Sequence, residues 1–431
     1  MYEQLNSKSR DERINAIRKL GESVKDGITV TDEVNNHVHS IYSFSPYTPV
    51  MIAVKAAEAG LQAVGIMDHD SVSGCEEMLE AGKAINLATT VGFEMRVDMT
   101  GTAVENRKIN NPDSLNNIYI AIHGIPANRL QEVQEFLKPI CKARLKRDRM
   151  EVEKLNNILS SLNAPTLNFD KDVLAISQAE NGGSITERHI LYALAKKLIA
   201  TFGKGAELLD FIRTQMKIEI PSKLAELLMD MQNPHYEYDL LGVFKASLVP
   251  DFFIQPDKEE CISVYDAVKF ANNLNAIPSY AYLGDIAESP TGDKKAEKFE
   301  DDFLDELFPE LKKIGFKAIT YMPPRNTLEQ LQRVQKLCEQ HDLMEISGVD
   351  INSSRQSFSC PIIQTPEFCH LTESTWALIA HEKLAAKDAK LALFNPDNPD
   401  ADMPLKQRIA KYAKIGQKID NRHPEEVTIQ N

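Results

Sequence analysis

Apolar and polar positions along the first third of the chain predict short strands separated by helices. The apolar run at residues 63–67 lies between two stretches with apolar residues at helical spacing, 49–60 and 75–85. The predicted strands of this part pass through residue 37 and span residues 63–67, 89–93 and 119–123. Strands separated by helices of this length are typical of βαβ units, so the pattern predicts a parallel sheet.

The pattern changes in the middle of the chain. One long helical pattern covers residues 128–162, and helical and loop segments continue to about residue 257. The alternation then returns, with predicted helices at 263–275, 303–314 and 328–341 and predicted strands at 276–283, 317–321 and 343–349. These strands bring the count near seven, so the predicted architecture is an α/β barrel with a helical insertion at about 126–257.

Both ends of the chain differ from the predicted barrel, which we place at residues 31–385. Residues 1–30 form a predicted N-terminal helical extension with an amphipathic helix at 9–24. Residues 386–431 are polar and rich in Pro and Asp, with a short basic helix near 407–417. We expect this polar C-terminal tail to pack loosely.

Composition and charge narrow the functional classes. The chain has 431 residues, of which 43% are hydrophobic, enough for a large buried core. Its formal net charge of −14 disfavours bulk nucleic acid as a partner, but a small phosphorylated substrate can still be held by local cations. Six cysteines without a C-x-x-C pair, a polar N-terminus and no apolar run of membrane-spanning length predict a cytoplasmic protein with no membrane partner. The sequence carries no indication of an oligomeric state.

Imidazoles and carboxylates recur at the ends of the predicted strands. His37 and His39 lie one residue apart in the first strand, so their side chains share one face. His69 directly follows the second strand, Glu94 ends the third, and Asp350 ends the last. A single histidine at a strand end is more often a hydrogen-bonded structural residue. Five such groups at the catalytic end of a barrel favour a hydrolytic metal centre.

Three segments carry a resemblance to a known family. They are His37-Val38-His39-Ser40, the segment 65–74 with Asp68-His69-Asp70-Ser71 at its centre, and Gly92-Phe93-Glu94. They resemble the first three motifs of the PHP (polymerase and histidinol phosphatase) domain, closely over 34–95 and more loosely over 263–352. The resemblance implies a distorted (β/α)7, TIM-like barrel that holds two or three metal ions and commonly hydrolyses phosphoesters. It also implies that His37, His39, His69 and Glu94 are metal ligands and that Asp350 is the aspartate of the last motif.

Three positions depart from the family pattern. Phe44 stands where an aspartate or histidine is usual, Tyr280 where a histidine is usual, and Asn352 replaces the closing histidine. Asn352 can still approach a metal through its carbonyl oxygen and is kept as a candidate ligand, although it is weaker than imidazole. We therefore expect one or two divalent ions per chain, Zn, Mn or Fe, rather than three.

Two further histidines are candidates for catalysis. His123 and Tyr119 both match the family's middle strand, and His123 is chemically the better choice as a further ligand or a near-metal acid. His189 lies in a segment that resembles an R-x-H motif of the family's helical insertion, although here the arginine is directly adjacent to the histidine. The resemblance implies a substrate-side or an acid/base role for His189. Thr186 is expected to cap the helix that begins there.

Asp68 completes the predicted catalytic group in a supporting role. Asp68 and Asp70 flank His69, and each is expected either to cap the following helix or to hold the metal ligand in place.

Cations near the predicted catalytic face are candidates for substrate binding. Arg325 and Arg355 follow late strands, and a guanidinium there can clamp a phosphate through two donors, although a surface role is the alternative. The basic run at 142–149 is typical of a solvated helix face, with presentation of cations toward the metals as the less favoured alternative.

The sequence thus predicts a metal-dependent phosphoesterase in which a metal-activated water attacks phosphorus. Two alternatives stay open. One is a catalytically impaired barrel of the same family that acts as a ligand-binding or interaction module, which the changes at Phe44, Tyr280 and Asn352 favour. The other is an amidohydrolase-type metal hydrolase, in which His-x-His also ends the first barrel strand.

Overall fold

A nearly closed sheet forms the centre of the protein. The computed structural model describes residues 2–111, 114–285 and 299–428. The strands are β1 Val34–Val38, β2 Ala63–His69, β3 Ala88–Asp98, β4 Asn117–His123, β5 Ile262–Ser263, β6 Ile277–Ala281, β7 Ala318–Tyr321 and β8 Met344–Ser347. Their order is β1-β2-β3-β4-β6-β7-β8, and the short β5 pairs with β3. A parallel bridge from Val38 to Ile351 brings the first strand beside the chain that leaves the last one. The predicted distorted (β/α)7 barrel is confirmed.

One strand breaks the parallel pattern that the sequence predicted. β4 runs antiparallel to both of its neighbours, β3 and β6, while the other neighbouring pairs of the sheet are parallel. The described part of the connection from β3 to β4 contains turns and no helix. Without a crossover helix the chain reverses direction between β3 and β4, as in a hairpin with a long loop. The antiparallel β4 is what distorts the barrel.

Helices cover the outside of the sheet and fill the connections. They are α1 Tyr2–Leu5, α2 Arg10–Leu20, α3 Pro49–Glu58, α4 Cys75–Ile85, α5 Leu130–Ser161, α6 Glu187–Phe202, α7 Ala206–Thr214, α8 Ser222–Met229, α9 Tyr236–Phe252, α10 Val264–Asn273, α11 Leu304–Ile314, α12 Leu328–Gln340, α13 His370–Lys387 and α14 Leu405–Gly416. α3 shows how the sequence sets such an element. Thr48 caps it by accepting a hydrogen bond from the Met51 amide, and Pro49 occupies its first position. None of the helices in the described ranges is both long and apolar enough to cross a bilayer.

The helices between β4 and β5 have a hydrophobic core of their own. Leu155, Leu194, Tyr236 and Phe244, from α5, α6 and α9, are buried together in it. Phe44, from the loop after β1, packs into the same core and so joins these helices to the barrel. The boundaries 126–257 for the insertion stay a prediction.

The C-terminal segment packs firmly, which corrects the expectation of a loose tail. α14 lies along α13, with Tyr412 and Ala413 buried in a cluster that includes Met344 at the start of β8. Gly416 permits the close approach, because a Cβ there would lie 2.0 Å from the Trp376 carbonyl oxygen. Within α14 the buried residues Tyr412, Ala413 and Gly416 fall on one helix face, so few apolar residues suffice there.

Candidate metal centre

Three strands bring their C-terminal ends together at one buried point. β1 carries His37 and leads to His39, and the parallel register of β2 and β3 pairs His69 with Glu94. Glu94 Oε2 lies 3.2 Å from His69 Nδ1, 3.7 Å from His37 Nε2 and 4.0 Å from His39 Nε2. Asp350, just after β8, places Oδ1 3.2 Å from His39 Nε2. The structure therefore brings together all five residues predicted from the strand ends.

The donor set suits a divalent metal. Ligand atoms of His37, His39 and Glu94 all lie within 4.8 Å of one another. His39 Nε2 and His69 Nδ1 are buried and make no hydrogen bond within the described residues, although carboxylate oxygens are near them. Buried imidazole nitrogens without hydrogen bonds are costly unless an ion takes their lone pairs. Two or three imidazoles with one or two carboxylates are typical of hydrolytic Zn, Mn or Fe sites.

The electrostatics keep the carboxylates charged. Burial acts to raise the pKa of Glu94, but the imidazoles of His69, His37 and His39 lower it to about 2. Burial likewise opposes ionisation of Asp350, and the imidazole of His39 holds its pKa well below the usual range. The pKa of His39 is raised, because the neighbouring carboxylates, Asp350 foremost, outweigh its burial. In contrast, burial lowers the pKa of His69 to about 3, so this ring is neutral at pH 7 with a free lone pair.

Comparison with known proteins finds a family model and one relative that match part of the chain. Residues 35–214 match the family model of the PHP domain. This segment is therefore similar to a PHP domain. An error-prone DNA polymerase from Cutibacterium acnes is 36% identical to it over 63 residues, which are 14% of this chain and 6% of the polymerase. The chain thus spans only a small part of that relative's length.

Two solved structures superpose on most of this chain. A candidate metal-dependent phosphoesterase from Bifidobacterium adolescentis superposes with a TM-score of 0.50 at 19% identity, over 75% of this chain and 88% of the other. A Chromobacterium violaceum amidohydrolase with bound sulfate and no metal gives a TM-score of 0.48 at 16% identity, over 75% of this chain and 89% of the other. The first superposition agrees with the PHP-type barrel expected from the sequence.

Asp68 is linked by hydrogen bonds to one of the candidate ligands, His39. It accepts hydrogen bonds from the Ser40 amide at 2.7 Å, the Ser40 hydroxyl at 2.6 Å and the Ser43 hydroxyl at 2.7 Å. Ser43 Oγ in turn lies 3.2 Å from His39 Nδ1. Asp68 therefore orients His39 through a serine.

Asp68 and Asp70, which flank His69, do not cap the following helix α4, so this alternative of the prediction is wrong. The N-cap of α4 is Gly74, with no side-chain cap. Asp70 instead forms a buried ion pair with Arg144 of α5.

Asn352 forms a hydrogen bond with Asp350, the aspartate two residues before it. Its Nδ2 donates a hydrogen bond to Asp350 Oδ1 at 2.7 Å. A ligand role for Asn352 would therefore fall to its Oδ1. Together with His39 Nε2, which lies 3.2 Å from the same oxygen, this contact fixes the orientation of Asp350.

His123 is the better candidate of the two residues on β4. It is buried at the end of the strand, its Nε2 has no hydrogen-bond partner among the described residues, and it interacts electrostatically with His37 and Glu94. Tyr119 is already engaged, because Arg96 Nε donates to its hydroxyl at 2.8 Å. The Tyr119 ring lies 5.9 Å from the His69 ring and forms a wall beside it.

His189 takes part in helix capping. Its Nδ1 accepts a hydrogen bond from the Thr186 amide at 3.1 Å, and the two residues form a capping box at the start of α6. The ring packs edge-on against Phe44, with 5.0 Å between centroids. Burial lowers the pKa of His189 to about 3. The expected cap at Thr186 is thus present, and an acid or base role for His189 would have to use Nε2.

The two predicted phosphate clamps have other partners. Arg355 forms a two-pronged ion pair with Asp239 of α9, through Nε at 2.5 Å and a terminal nitrogen at 2.6 Å. Arg325 Nε donates to the Leu283 carbonyl at 3.1 Å. The phosphate-clamp role of Arg355 and Arg325 stays a prediction, and each guanidinium would have to bind phosphate in addition to these partners.

The altered family positions serve packing. Tyr280 on β6 donates a short hydrogen bond to the buried Glu300, which also accepts from the Leu283 and Gly284 amides. Burial raises the pKa of Glu300 to about 8. Phe44 belongs to the insertion core. Neither position offers a free ligand atom to a third metal.

The basic run on α5 is not simply a solvated face. Arg144 and Arg147 are buried, whereas Lys142 and Lys146 are exposed. Arg147 Nε bonds Glu260 at 2.6 Å, and its guanidinium also contacts Glu151. The glutamate four residues after Arg147 was the signal in the sequence that could have indicated pairing.

Gly348 is a further residue of the site that sequence reasoning missed. A Cβ at this position would lie 2.4 Å from the His37 Cβ, so only glycine lets the end of β8 approach the first ligand. Its position two residues before Asp350 was the feature of the sequence that could have indicated its place in the site.

Proposed function

We propose that this PHP protein is a metal-dependent phosphoesterase that hydrolyses a small phosphorylated substrate. The buried cluster of His37, His39, His69, Glu94 and Asp350 is the observation that carries the proposal. The PHP match supports a metal-dependent hydrolase generally, and the candidate phosphoesterase with the same fold supports the ester substrate.

His37, His39 and Glu94 would hold the first ion, and His69 and Asp350 are placed to complete it or to share a second. One or two ions of Zn, Mn or Fe fit this set. Such an ion lowers the pKa of bound water and polarises a phosphoryl oxygen. Low pKa values for Glu94 and Asp350 keep both carboxylates ionised and able to bind at neutral pH.

The protonation state of His123 decides whether it can donate a proton in the reaction. Burial lowers the pKa of His123 to about 3, so its imidazole is neutral at pH 7 and holds almost no proton to donate. We therefore assign His123 the role of a further ligand rather than that of an acid. Asp68, through Ser43, keeps the Nε2 of His39 turned to the centre.

All six cysteines are unpaired, which fits a reducing compartment, and we propose a cytoplasmic location.

Metal analysis together with turnover tests the proposal. Purified protein is expected to contain Zn, Mn or Fe and, once reconstituted, to release phosphate from members of a phosphomonoester panel. The His37→Ala/His39→Ala variant should lose both properties. His423→Ala, which changes an exposed histidine, is the matched control and should keep both. Absence of turnover by metal-loaded protein across the panel would rule the function out.

A second candidate function is a ligand-binding barrel without catalysis. The Tyr280–Glu300 contact and the burial of Phe44 favour it, because both remove ligands that a larger metal cluster would use. Metal binding and ligand binding without turnover of any phosphoester would distinguish this barrel from the enzyme.

A further inference from the structure

The described arginines around the centre are mostly committed to carboxylates. Four of them have such partners: Arg96 with Glu187 at 3.1 Å, Arg144 with Asp70, Arg147 with Glu260 and Arg355 with Asp239. A guanidinium held in this way contributes little to binding an anion, because its donors are already used and its charge is neutralised.

Arg188 differs from these four. It lies half-buried in the first turn of α6, and within the described residues its guanidinium makes no ion pair or hydrogen bond. The residues on either side are fixed, since Glu187 pairs with Arg96 and His189 caps the helix. The start of α6 lies against the metal centre, because Ser184, four residues before Arg188, donates through its hydroxyl to the His69 carbonyl oxygen at 2.6 Å. The charge of Arg188 also acts on the Asp350 carboxylate and on the Tyr238 hydroxyl.

Aromatic rings stand beside this cation. Tyr192 is four residues after Arg188 and so shares its face of α6. The Tyr192 and Tyr238 rings are 5.4 Å apart, and they lie 5.8 and 5.9 Å from the Phe44 ring. Both tyrosines are half-buried, so part of each ring is accessible.

We propose that Arg188, Tyr192 and Tyr238 form the substrate-recognition face of the site. Arg188 binds the phosphoryl oxygens that face the insertion, and the two rings contact a planar group esterified to the phosphate. This inference rests on the proposed phosphoesterase function. A half-buried guanidinium without a partner has lost part of its hydration, and an anion restores that loss through two charge-assisted hydrogen bonds. Arg188 thus takes the phosphate-binding role for which Arg355 and Arg325 are candidates from the sequence.

Binding of inorganic phosphate tests the cation directly. Calorimetric titration of the protein as purified is expected to show phosphate binding that weakens about 10- to 100-fold in Arg188→Ala. Arg188→Lys should bind with intermediate affinity, because lysine keeps the charge and loses the two-pronged contact. The matched control is Arg213→Ala, an exposed arginine of α7, which should bind as the original protein does. Equal phosphate affinity in Arg188→Ala and Arg213→Ala would overturn the assignment.

Kinetics with two substrates test the rings. Tyr192→Ala is expected to raise KM for 4-nitrophenyl phosphate about 10-fold while leaving KM for glycerol phosphate nearly unchanged. An equal change for both substrates would overturn the contact with a planar group.

The two proposals fail in different ways. If the metal-loaded protein hydrolyses no phosphoester but Arg188→Ala still loses phosphate binding, the enzymatic function fails and Arg188 is supported as an anion anchor. If turnover is normal and Arg188→Ala binds phosphate normally, the enzymatic function stands and the recognition face is wrong.

Discussion

At the scale of single residues, the centre depends on side chains that do not face it. Asp68 is buried and receives three hydrogen bonds from two serines, one of which contacts His39. A partner that orients a metal-bound imidazole also increases its basicity.

Asp68→Asn should lower metal affinity about 10- to 100-fold without unfolding the protein, because an amide cannot accept hydrogen bonds at both of its terminal atoms. Competition with a chromogenic chelator measures the affinity. Ser43→Ala, which removes only the link to His39, should give a smaller decrease. Unchanged affinity in Asp68→Asn would show that Asp68 is not coupled to the ligands.

Gly348→Ala should disturb His37 through steric contact. The added Cβ would lie 2.4 Å from His37 Cβ, so we expect a loss of about 1–3 kcal/mol in the free energy of unfolding together with weaker metal binding. Gly242→Ala in α9 is the control, because a Cβ there meets nothing within 4 Å, and it should stabilise the helix by about 0.5–1 kcal/mol. Denaturant unfolding with and without metal checks both variants.

At the scale of elements, α13 joins the end of β4 to the C-terminal segment through one histidine. His381 Nε2 lies 3.0 Å from the Gly124 carbonyl oxygen, and His381 Nδ1 accepts from the Leu393 amide at 2.9 Å. Nδ1 can accept the Leu393 amide only when the ring is neutral, whereas Nε2 can donate to the Gly124 carbonyl in either protonation state. Burial lowers the pKa of His381 to about 4.

The stability of the protein should therefore fall in acid partly through His381. The unfolded chain, with a histidine pKa of about 6.5, binds this proton more readily than the folded one, so stability is lost as pH falls from about 6.5 toward 4. Between about pH 7.5 and pH 5 the contribution is about 2 kcal/mol. Denaturant unfolding at the two pH values should show a loss smaller by this amount in His381→Gln, whereas His423→Gln should retain the full loss. The same loss in all three proteins would contradict the assignment.

At the scale of the whole molecule, buried charges join the insertion to the barrel. Arg147 of α5 pairs with Glu260, which precedes β5, and with Glu187 at the start of α6. Glu187 also pairs with Arg96 on β3. Removing one member of such a network leaves the others charged and buried.

Arg147→Met should lower the free energy of unfolding by about 3–5 kcal/mol, because it leaves buried carboxylates without their cation. The single tryptophan, Trp376 on α13, reports on the barrel side, and circular dichroism reports on all helices. We expect the two signals to change together in the original protein and to separate in the variant, with helical signal lost first. Arg149→Met, two residues along on the exposed side of α5, should leave both transitions nearly unchanged. Coincident and unshifted transitions in Arg147→Met would show that the network does not hold the two parts together.

The sequence by itself determined most elements and the core of the site. The periodicity of apolar residues located α3, α4 and α5 within a few residues, because these elements depend on local spacing. His37, His39, His69 and Glu94 were identifiable since each ends or follows a strand, and neighbouring parallel strands end at one face.

The tertiary structure alone decided what depends on partners distant in the sequence. Arg355 pairs with Asp239, 116 residues away, and Arg147 with Glu260, 113 residues away. The antiparallel direction of β4 and the packing of α14 on α13 likewise depend on segments that are distant in the sequence. Local patterns indicate which residues can be buried or charged. The pairing of charges and strands depends on which surfaces meet after the chain has folded.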